Sequence, residues 1–206
     1  SIQKTHQNRL YFDTLSPWYF TLFYPLFCCI WLLCRDKRSF KIDAFNWCRW
    51  KHLKFSYWNV YVIFISDKAF RNLFYYRVGP CRIFLSFLFP GYDHLQITTP
   101  TKDIGGGLII QHGFATIISA KKIGCNCKIY QQVTIGYNHR LEAPILGDNV
   151  EVCCGAKIIG GVHIGDNVLI GANAVIVNDI PSNCVVAGVP AKIIKSLPED
   201  SDIFNR

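Results

Sequence analysis

The sequence predicts a mainly β fold, a parallel β-helix of hexapeptide repeats, preceded by an α-helical N-terminal segment. The main observation is a large aliphatic residue at every sixth position, in two runs with one break: Ile117, Ile123, Ile129 and Ile135, then Leu146, Val152, Ile158, Ile164, Ile170 and Ile176. A period of six fits neither an α-helix nor a simple strand, so it indicates a higher-order repeat. Each hexapeptide should form one side of a triangular coil, with the aliphatic side chain inside.

A second periodic set supports the same coil. Four positions after most of these aliphatic residues stands a small residue that fits a narrow interior corner: Cys127, Val133, Val150, Ala156, Val162, Val168 and Ala174. Lys121 and His139 are the exceptions. His139 lies beside the break, where eleven positions separate Ile135 from Leu146 in place of six. A loop is therefore expected to leave the coil between these two residues.

The charge of the 206-residue chain is unevenly distributed. Lys and Arg outnumber Asp and Glu by 13 to 5 in residues 1–94, whereas residues 95–206 hold 9 of each, so the whole net charge of +8 lies in the N-terminal part. A basic, aromatic-rich segment favours an acidic neighbour such as a lipid surface or an acidic substrate. Nucleic acid is not expected, because no recognised binding motif accompanies the charge. The ten cysteines lack CxxC spacing and are expected to be reduced thiols that act as small hydrophobes.

Residues 15–34 carry no charge and have the length of a membrane span. Pro17 and Pro25 disfavour a span and favour a pair of buried helices that form an oligomeric cap. A segment lying on a membrane surface is the second interpretation, and a true span is the third. Residues 40–78 have the apolar faces of helices, which Gly79-Pro80 should end.

The predicted organisation therefore has three parts. Residues 1–94 form the α-helical, basic and aromatic segment, residues 95–190 form the β-helix, and residues 191–206 form a C-terminal extension.

The register is softer at the start of the repeat, where a seven-residue coil runs from Ile110 to Ile117. Within it, His112 is followed by Gly113, and the extra residue should bulge outward with an accessible side chain. The glycines at 105–107 are not followed by Lys-Ser/Thr, so they are expected to permit tight turns or close approach of a ligand instead of cradling phosphate. An accessible imidazole can take a proton near neutral pH, which makes His112 the candidate catalytic residue.

These segments together resemble the serine acetyltransferase-like family of left-handed β-helix acyltransferases. The resemblance covers about residues 95–195 and is carried by Ile104-Gly105-Gly106-Gly107-Leu108, Gln111-His112-Gly113, Gln132-Val133-Thr134-Ile135-Gly136, Gly155-Ala156-Lys157-Ile158-Ile159-Gly160, Ile170-Gly171-Ala172-Asn173-Ala174-Val175 and Val186-Ala187-Gly188-Val189-Pro190-Ala191-Lys192. It implies a left-handed β-helix and an O-acetyltransferase that uses acetyl-CoA and no metal. It also implies a homotrimer or a dimer of trimers. A cytoplasmic location is expected, with the inner face of the membrane as the alternative.

The resemblance also implies roles for individual residues. His112 would be the general base that takes the proton of an acceptor hydroxyl, in a groove between neighbouring β-helices of a trimer. Main chain near four residues would line the channel of the pantetheine arm, and two lysines would meet the phosphates of the cofactor: Gly136, Tyr137, Cys154 and Gly155, then Lys157 and Lys192.

The sequence departs from the family at the acceptor site. Ile97 stands where an aspartate would orient the histidine, and Gln111 stands where an aspartate would bind the acceptor. These losses disfavour free serine and favour a sugar of a surface polysaccharide or its lipid-linked precursor, with serine as the alternative. His139 and Arg140 join Gln111 as candidate substrate-binding residues. His112 would then be oriented by a backbone carbonyl or by Asp93, Asp103 or Glu142.

Two further function classes stay open. A β-helix metalloenzyme would gather three histidines on one metal, but His112, His139 and His163 are 27 and 24 positions apart, which does not align them along an eighteen-residue coil. The other class is a non-catalytic partner of a membrane assembly.

Overall fold

The computed structural model describes residues 17–32, 34 and 36–198. Its first part is helical, with the bounds α1 Pro17–Leu32, α2 Lys37–Trp50, α3 Tyr57–Ser66, α4 Lys68–Val78 and α5 Ile83–Leu88, and with 3₁₀ turns at Gly79–Arg82 and Thr101–Asp103. The second part consists of short strands: β1 Leu95–Ile97, β2 Ile109–Ile110, β3 Thr116–Ile118, β4 Lys122–Ile123, β5 Lys128–Ile129, β6 Thr134–Gly136, β7 Ile145–Leu146, β8 Glu151–Val152, β9 Lys157–Ile159, β10 His163–Ile164, β11 Val168–Ile170, β12 Val175–Ile176, β13 Cys184–Gly188 and β14 Ala191–Ser196.

The helices begin and end at residues that satisfy free backbone groups. The side chains of Asp36, Ser56 and Asp67 accept hydrogen bonds from the first-turn N–H groups of α2, α3 and α4. Helix α4 ends at Val78, and the C-cap residue Gly79 has a φ of 76°, which suits a residue without a Cβ. The predictions of helices within residues 40–78 and of a stop at Gly79-Pro80 are therefore confirmed.

Helix α1 differs from the expected pair of helices. It is one helix of 16 residues with Pro25 inside it. Of the uncharged stretch, residues 15, 16 and 33 lie outside the described residues. Among the helices that the structure describes, none has the length and apolar character needed to cross a membrane.

The strands wind into a triangular prism with three parallel faces. Face 1 has the order β1-β3-β6-β9-β12, face 2 has β4-β7-β10, and face 3 has β2-β5-β8-β11-β13 with β14 antiparallel at its edge. Corner 1–2, corner 2–3 and corner 3–1 are the turns that join consecutive faces. The predicted left-handed β-helix with an N-terminal helical segment is thereby confirmed.

The inner aliphatic ladder of face 1 corrects one detail of the predicted register. Ile118, which pairs with Ile135, is fully buried, whereas Ile117 is 39% exposed. The repeat from Ile110 to Ile118 thus spans eight positions, two more than a hexapeptide, and the next repeat, from Ile118 to Ile123, spans five. The predicted small corner residues from Cys127 to Ala174 are all buried.

Corner 2–3 is stabilised by a ladder of asparagines in the left-handed region. Asn126, Asn149, Asn167 and Asn183 have φ between 55° and 59°, a conformation that asparagine tolerates better than most residues. The amide of Asn167 donates to Asn183 Oδ1 at 3.0 Å. Asn46 of α2 donates to Asn126 Oδ1 at 3.0 Å, so helix α2 continues the ladder past the first coil.

A buried ion pair joins the helices to the first coil. Arg77 Nε donates to Asp43 Oδ2 at 2.9 Å, and both side chains are fully buried. Asp43 Oδ1 accepts from the N–H groups of Gly107 and Leu108 at 2.6 and 2.8 Å. The other donors of Arg77 bind Asp36 and the carbonyls of Thr101, Ile104 and Gly105. Burial raises the pKa of Asp43 to about 6, against the lowering effect of Arg77.

Replacement of Arg77 by Met should reduce the free energy of unfolding by about 3–5 kcal/mol at pH 8, because Asp43 is left buried without its partner. Without Arg77 the pKa of Asp43 rises further, so Asp43 is protonated more readily in the folded than in the unfolded chain. Stability from a raised pKa is present at acidic pH and is lost as the pH rises. The deficit of the variant should therefore be smaller at pH 5 than at pH 8 in urea unfolding followed by tryptophan fluorescence.

The matched control is Lys51→Met. Lys51 pairs with Asp67 at 3.0 Å, but its side chain is 36% exposed. Its loss should cost about 1 kcal/mol or less. An equal effect of the two substitutions would contradict the structural role assigned to Arg77.

Candidate active site

His112 lies at corner 3–1, in the repeat from Ile110 to Ile118, which is two residues longer than a hexapeptide. Gln111 N donates to Ile129 O and Gln132 N donates to Phe114 O, both at 2.8 Å, so Gln111 and Phe114 hold regular positions on the coil. His112 and Gly113 are the inserted residues between them. The expected outward bulge is present, with two extra residues where the sequence suggested one, because Ile118 and not Ile117 closes the coil.

Within the bulge, Gly113 packs against the interior of the protein and His112 is exposed to solvent. Gly113 is buried with φ of 47°, and a Cβ added there would approach Leu95 Cδ2 to 3.0 Å and Ala69 Cβ to 3.4 Å. His112 has φ of 62° and an exposed side chain. Positive φ recurs at the regular turns of this corner, with 61° at Gln132 and 58° at Asn173, so the backbone of His112 keeps a conformation typical of the corner. The packing of Gly113 against β1 and α4 therefore presents the imidazole to solvent at a defined place.

The side chain next to His112 is a neutral amide. Gln111 Nε2 lies 3.5 Å from His112 Nε2, at the outer limit of a hydrogen bond. Asp93 precedes β1, Asp103 lies in the 3₁₀ turn before face 2, and Glu142 lies in the loop of corner 1–2. Within the described part of the chain, no hydrogen bond or ion pair joins any of these three carboxylates to His112.

Ile97 has a structural role that the sequence did not reveal. It pairs with Ile118 of the inner ladder, so its partly buried side chain packs against the core at the edge of the prism. The neighbouring position on β1, Gln96, is the exposed one. The side chains that β1 offers outward next to this corner are thus uncharged.

The other candidates at corner 3–1 follow His112 along the prism axis. Gly155 N donates to Gln131 O, which places Cys154 and Gly155 two coils from Phe114, about 10 Å along the axis. Lys157 Nζ donates to Gln132 O at 2.6 Å, so this lysine is held at the corner. Lys192 is the second residue of β14, where it pairs with Ala187 near the end of face 3, and it is exposed.

The remaining candidates lie at corner 1–2. Gly136 ends β6, and Tyr137, His139 and Arg140 belong to the loop that follows it. A Cβ added to Gly136 would meet no atom within 4 Å, so packing inside the chain does not require glycine there. The loop borders an open cavity of about 910 Å³ lined by residues that include Tyr137, Asn138, Glu142, His163 and Asp179. His139 and Arg140 are exposed on the outside of the loop.

One chain therefore divides the predicted site residues between two corners. Gln111, His112, Cys154, Gly155, Lys157 and Lys192 share or adjoin corner 3–1, whereas Gly136, Tyr137, His139 and Arg140 share corner 1–2. The strands of face 1 lie between the two groups, so a single prism does not bring them together.

Gln131 is a residue of this corner that sequence reasoning missed. It lies level with Phe114, directly beside the bulge, and its Oε1 is buried without a hydrogen-bond partner in the described structure. The only signal in the sequence is that Gln131 directly precedes Gln132, so that two glutamines stand together at this corner. An unsatisfied buried acceptor is costly, which marks this turn as one whose polar groups are incompletely paired.

Asn138 holds the loop of corner 1–2 in place. Its Oδ1 accepts from Arg140 N at 2.9 Å and from Glu142 N at 3.2 Å, and its Nδ2 donates to Glu142 Oε2 at 2.7 Å.

Asn138→Ala should loosen the loop and raise the rate of tryptic cleavage after Arg140 about tenfold, since three hydrogen bonds of about 0.5–1.5 kcal/mol each are lost. Asn178→Ala, at an exposed position on the other side of the cavity, is the control. Equal cleavage of both variants, measured by mass spectrometry, would disprove this role.

Comparisons with known proteins agree with this architecture. Residues 143–178 match the family model described as bacterial transferase hexapeptide (six repeats). A serine acetyltransferase of Synechococcus elongatus is 41% identical over 99 residues, which are 46% of this chain and 41% of the relative. The chain spans less than half the length of the curated relatives it matches.

Solved structures show the same fold. One is the serine acetyltransferase of Neisseria gonorrhoeae in complex with serine. The alignment covers 78% of this chain and 69% of that chain, with a TM-score of 0.62 at 22% sequence identity. A serine acetyltransferase in complex with CoA covers 75% of this chain and 67% of its own with a TM-score of 0.57 at 24% identity. Over 99 to 100 residues this chain is therefore similar to serine acetyltransferases, and its residues 143–178 match the hexapeptide repeats of bacterial transferases.

Proposed function

We propose that this protein is an acetyl-CoA-dependent O-acetyltransferase in which His112 is the general base. The observation that carries the proposal is the exposed imidazole, raised on a two-residue bulge of a hexapeptide prism that is 41% identical to a serine acetyltransferase over 99 residues. Gly113 packs under the bulge, so the histidine is presented at a fixed point of a rigid scaffold.

The chemistry is a direct transfer. His112 takes the proton of the acceptor hydroxyl while the oxygen attacks the thioester carbonyl of acetyl-CoA. The tetrahedral oxyanion collapses, the carbon–sulfur bond breaks, and the thiolate of coenzyme A takes the proton from the imidazolium, which restores neutral His112. No covalent intermediate on the protein is required. The side chain of Gln111, 3.5 Å from the ring, is placed to meet the acceptor as well as the histidine.

The division of the site between two corners supports a trimer in which corner 3–1 of one chain faces corner 1–2 of the next. His112 and the turn at Cys154 and Gly155 would then line one wall of a groove, and Gly136 and Tyr137 the other. The open space beside Gly136 and the half-exposed Tyr137 suit such a groove. A homotrimer, alone or as a pair of trimers, is the assembly proposed. Lys157 and Lys192 are the proposed partners of the cofactor phosphates.

Serine is the acceptor that we favour, against the sugar hydroxyl expected from the sequence. The similar proteins are named serine acetyltransferases, and the Neisseria gonorrhoeae structure is described as a complex with serine. The sugar of a surface polysaccharide stays as the second candidate because of one local observation. The neutral amide of Gln111 beside His112 suits hydroxyl groups better than an ammonium group. His139 and Arg140 are exposed on the loop and are proposed to contact the acceptor or cofactor across the groove.

The other function classes have less support. His112, His139 and His163 lie at corner 3–1, in the loop of corner 1–2 and in β10, so one chain does not gather them on one metal. In the part of the chain that the structure describes, no group of three His, Cys, Asp or Glu residues is placed to hold a metal ion. A non-catalytic role would leave the exposed histidine bulge without a purpose. The cytoplasmic location and the contact of residues 15–34 with a membrane surface stay predictions.

His112→Asn should reduce kcat/KM for acetyl transfer by at least about a hundredfold, the usual contribution of a general base. The matched control is His52→Asn. Both histidines are exposed with φ near 60°, at 62° and 59°, and asparagine tolerates this region, so neither change adds backbone strain. The assay follows release of the CoA thiol. Equal activity of the two variants would remove His112 from the mechanism.

Serine should support thiol release at least about tenfold faster than a panel of monosaccharides at the same concentration. Gln111→Asp should then lower KM for serine up to about tenfold, because a carboxylate attracts the ammonium group. The same change should not lower KM for a sugar. Faster release with a sugar, and no gain for serine in Gln111→Asp, would overturn serine as the acceptor and support the second candidate.

A further inference from the structure

The outer side of the helical segment exposes a large apolar surface. On α1, Leu22, Leu26 and Cys29 are exposed at spacings of four and three residues, which puts them on one helix face, while Phe27 and Ile30 are buried on the other. Leu22 is 72% exposed. This stripe faces away from the core of the protein.

Helix α5 extends this surface. Ile83 and Phe87 are four residues apart and are 69% and 89% exposed, whereas Leu85 and Phe89 face the core. The rings of Phe23 and Phe89 meet at 5.4 Å, so α1 and the end of α5 are neighbours. A phenylalanine exposed to this degree is unusual in a soluble monomer when other exposed apolar side chains surround it.

Aromatic residues border α1 on α3. Trp58 contacts Tyr24 at 5.3 Å and Tyr57 contacts Trp31 at 5.2 Å between ring centroids. Both α3 residues are also partly exposed, at 42% for Trp58 and 50% for Tyr57. Tyr and Trp are enriched where an apolar layer meets water and polar headgroups.

The charge around this surface is positive. Arg82 precedes Ile83, Lys37 and Arg38 follow α1, and Lys54 precedes α3, all of them exposed. Among the described residues before β1, seven exposed side chains are basic and one is acidic: Lys37, Arg38, Lys41, Arg49, Lys54, Lys68 and Arg82, and Asp93. Apolar residues with exposed aromatic and basic neighbours are typical of segments that lie in the interface of an anionic membrane.

We infer that the α1–α5 face, defined as the exposed sides of α1 and α5 with Tyr57 and Trp58, docks on an anionic lipid surface. The described helix α1, Pro17–Leu32, has 16 residues and is about 24 Å long, and in this proposal it lies along the membrane surface. A second copy of the chain is a poorer occupant, because it would place two positively charged segments against each other. The inference is independent of the transferase activity.

Flotation with lipid vesicles tests this inference on the full chain. Binding to phosphatidylcholine vesicles with about 30% phosphatidylglycerol should exceed binding to phosphatidylcholine alone by at least about tenfold. An increase from about 0.1 M to about 1 M NaCl should reduce it at least about fivefold, since salt screens the basic residues. Equal binding to both kinds of vesicle, or none, would overturn the inference.

Variants locate the surface. Leu22→Ser combined with Phe87→Ser should weaken binding to the anionic vesicles at least about tenfold, because two exposed apolar anchors are lost. Ile194→Ser, at a 64% exposed position of β14 on the β-helix, is the matched control and should bind as the parent does. Arg82→Gln with Lys37→Gln should weaken binding without changing the apolar face.

Circular dichroism and thermal unfolding establish that each variant is folded, and thiol release from acetyl-CoA is measured separately, so that loss of docking and loss of activity are distinguishable. If the Leu22 and Phe87 variant binds vesicles as well as the control, the α1–α5 face is not the docking surface. If sedimentation shows that this variant instead halves the mass of a larger assembly, the face is a contact between copies, which also contradicts the inference.

Discussion

The buried pair of Arg77 and Asp43 is the interaction on which the arrangement of the two parts depends. Arg77 binds Asp43, Asp36 and three carbonyls of the first coil, while Asp43 accepts the N–H groups of Gly107 and Leu108. The first coil of a β-helix exposes backbone groups that later coils pair with their neighbours. Here the helical segment satisfies these groups with side chains, and Trp47 Nε1 adds a bond to Leu108 O at 2.9 Å. The glycines at 106 and 107 let α2 approach, since a Cβ on either would meet side chains of α2.

The helical segment also supports the candidate site. Gly113 packs against Leu95 of β1 and Ala69 of α4, so the helices form the floor of the bulge that carries His112. At this corner two residues are inserted, Gly113 is buried against Leu95 and Ala69, and the side chain of His112 is exposed. The site therefore depends on a departure from the repeat together with the helical cap, and the repeat itself supplies the rigid frame.

The same segment has two surfaces with different chemistry. Its inner surface is polar where it meets the first coil and aromatic in its own core, with close ring pairs such as Phe27 with Phe74 and Trp31 with Phe40. Its outer surface is apolar and basic.

The sequence by itself determined the β-helix, because an inward aliphatic residue every six positions is a local pattern that no helix or simple strand shares. It also predicted helices within residues 40–78 and the accessibility of His112. Only the tertiary structure decided that Ile118 and not Ile117 faces inward, that Ile97 packs against the core, and that α1 is one helix, because each depends on how neighbouring coils or helices pack. The division of the candidate residues between two corners was equally hidden, since positions on different corners alternate along the sequence. Arg77 and Asp43 are 34 positions apart and carry no local signal, so their pairing required the folded chain.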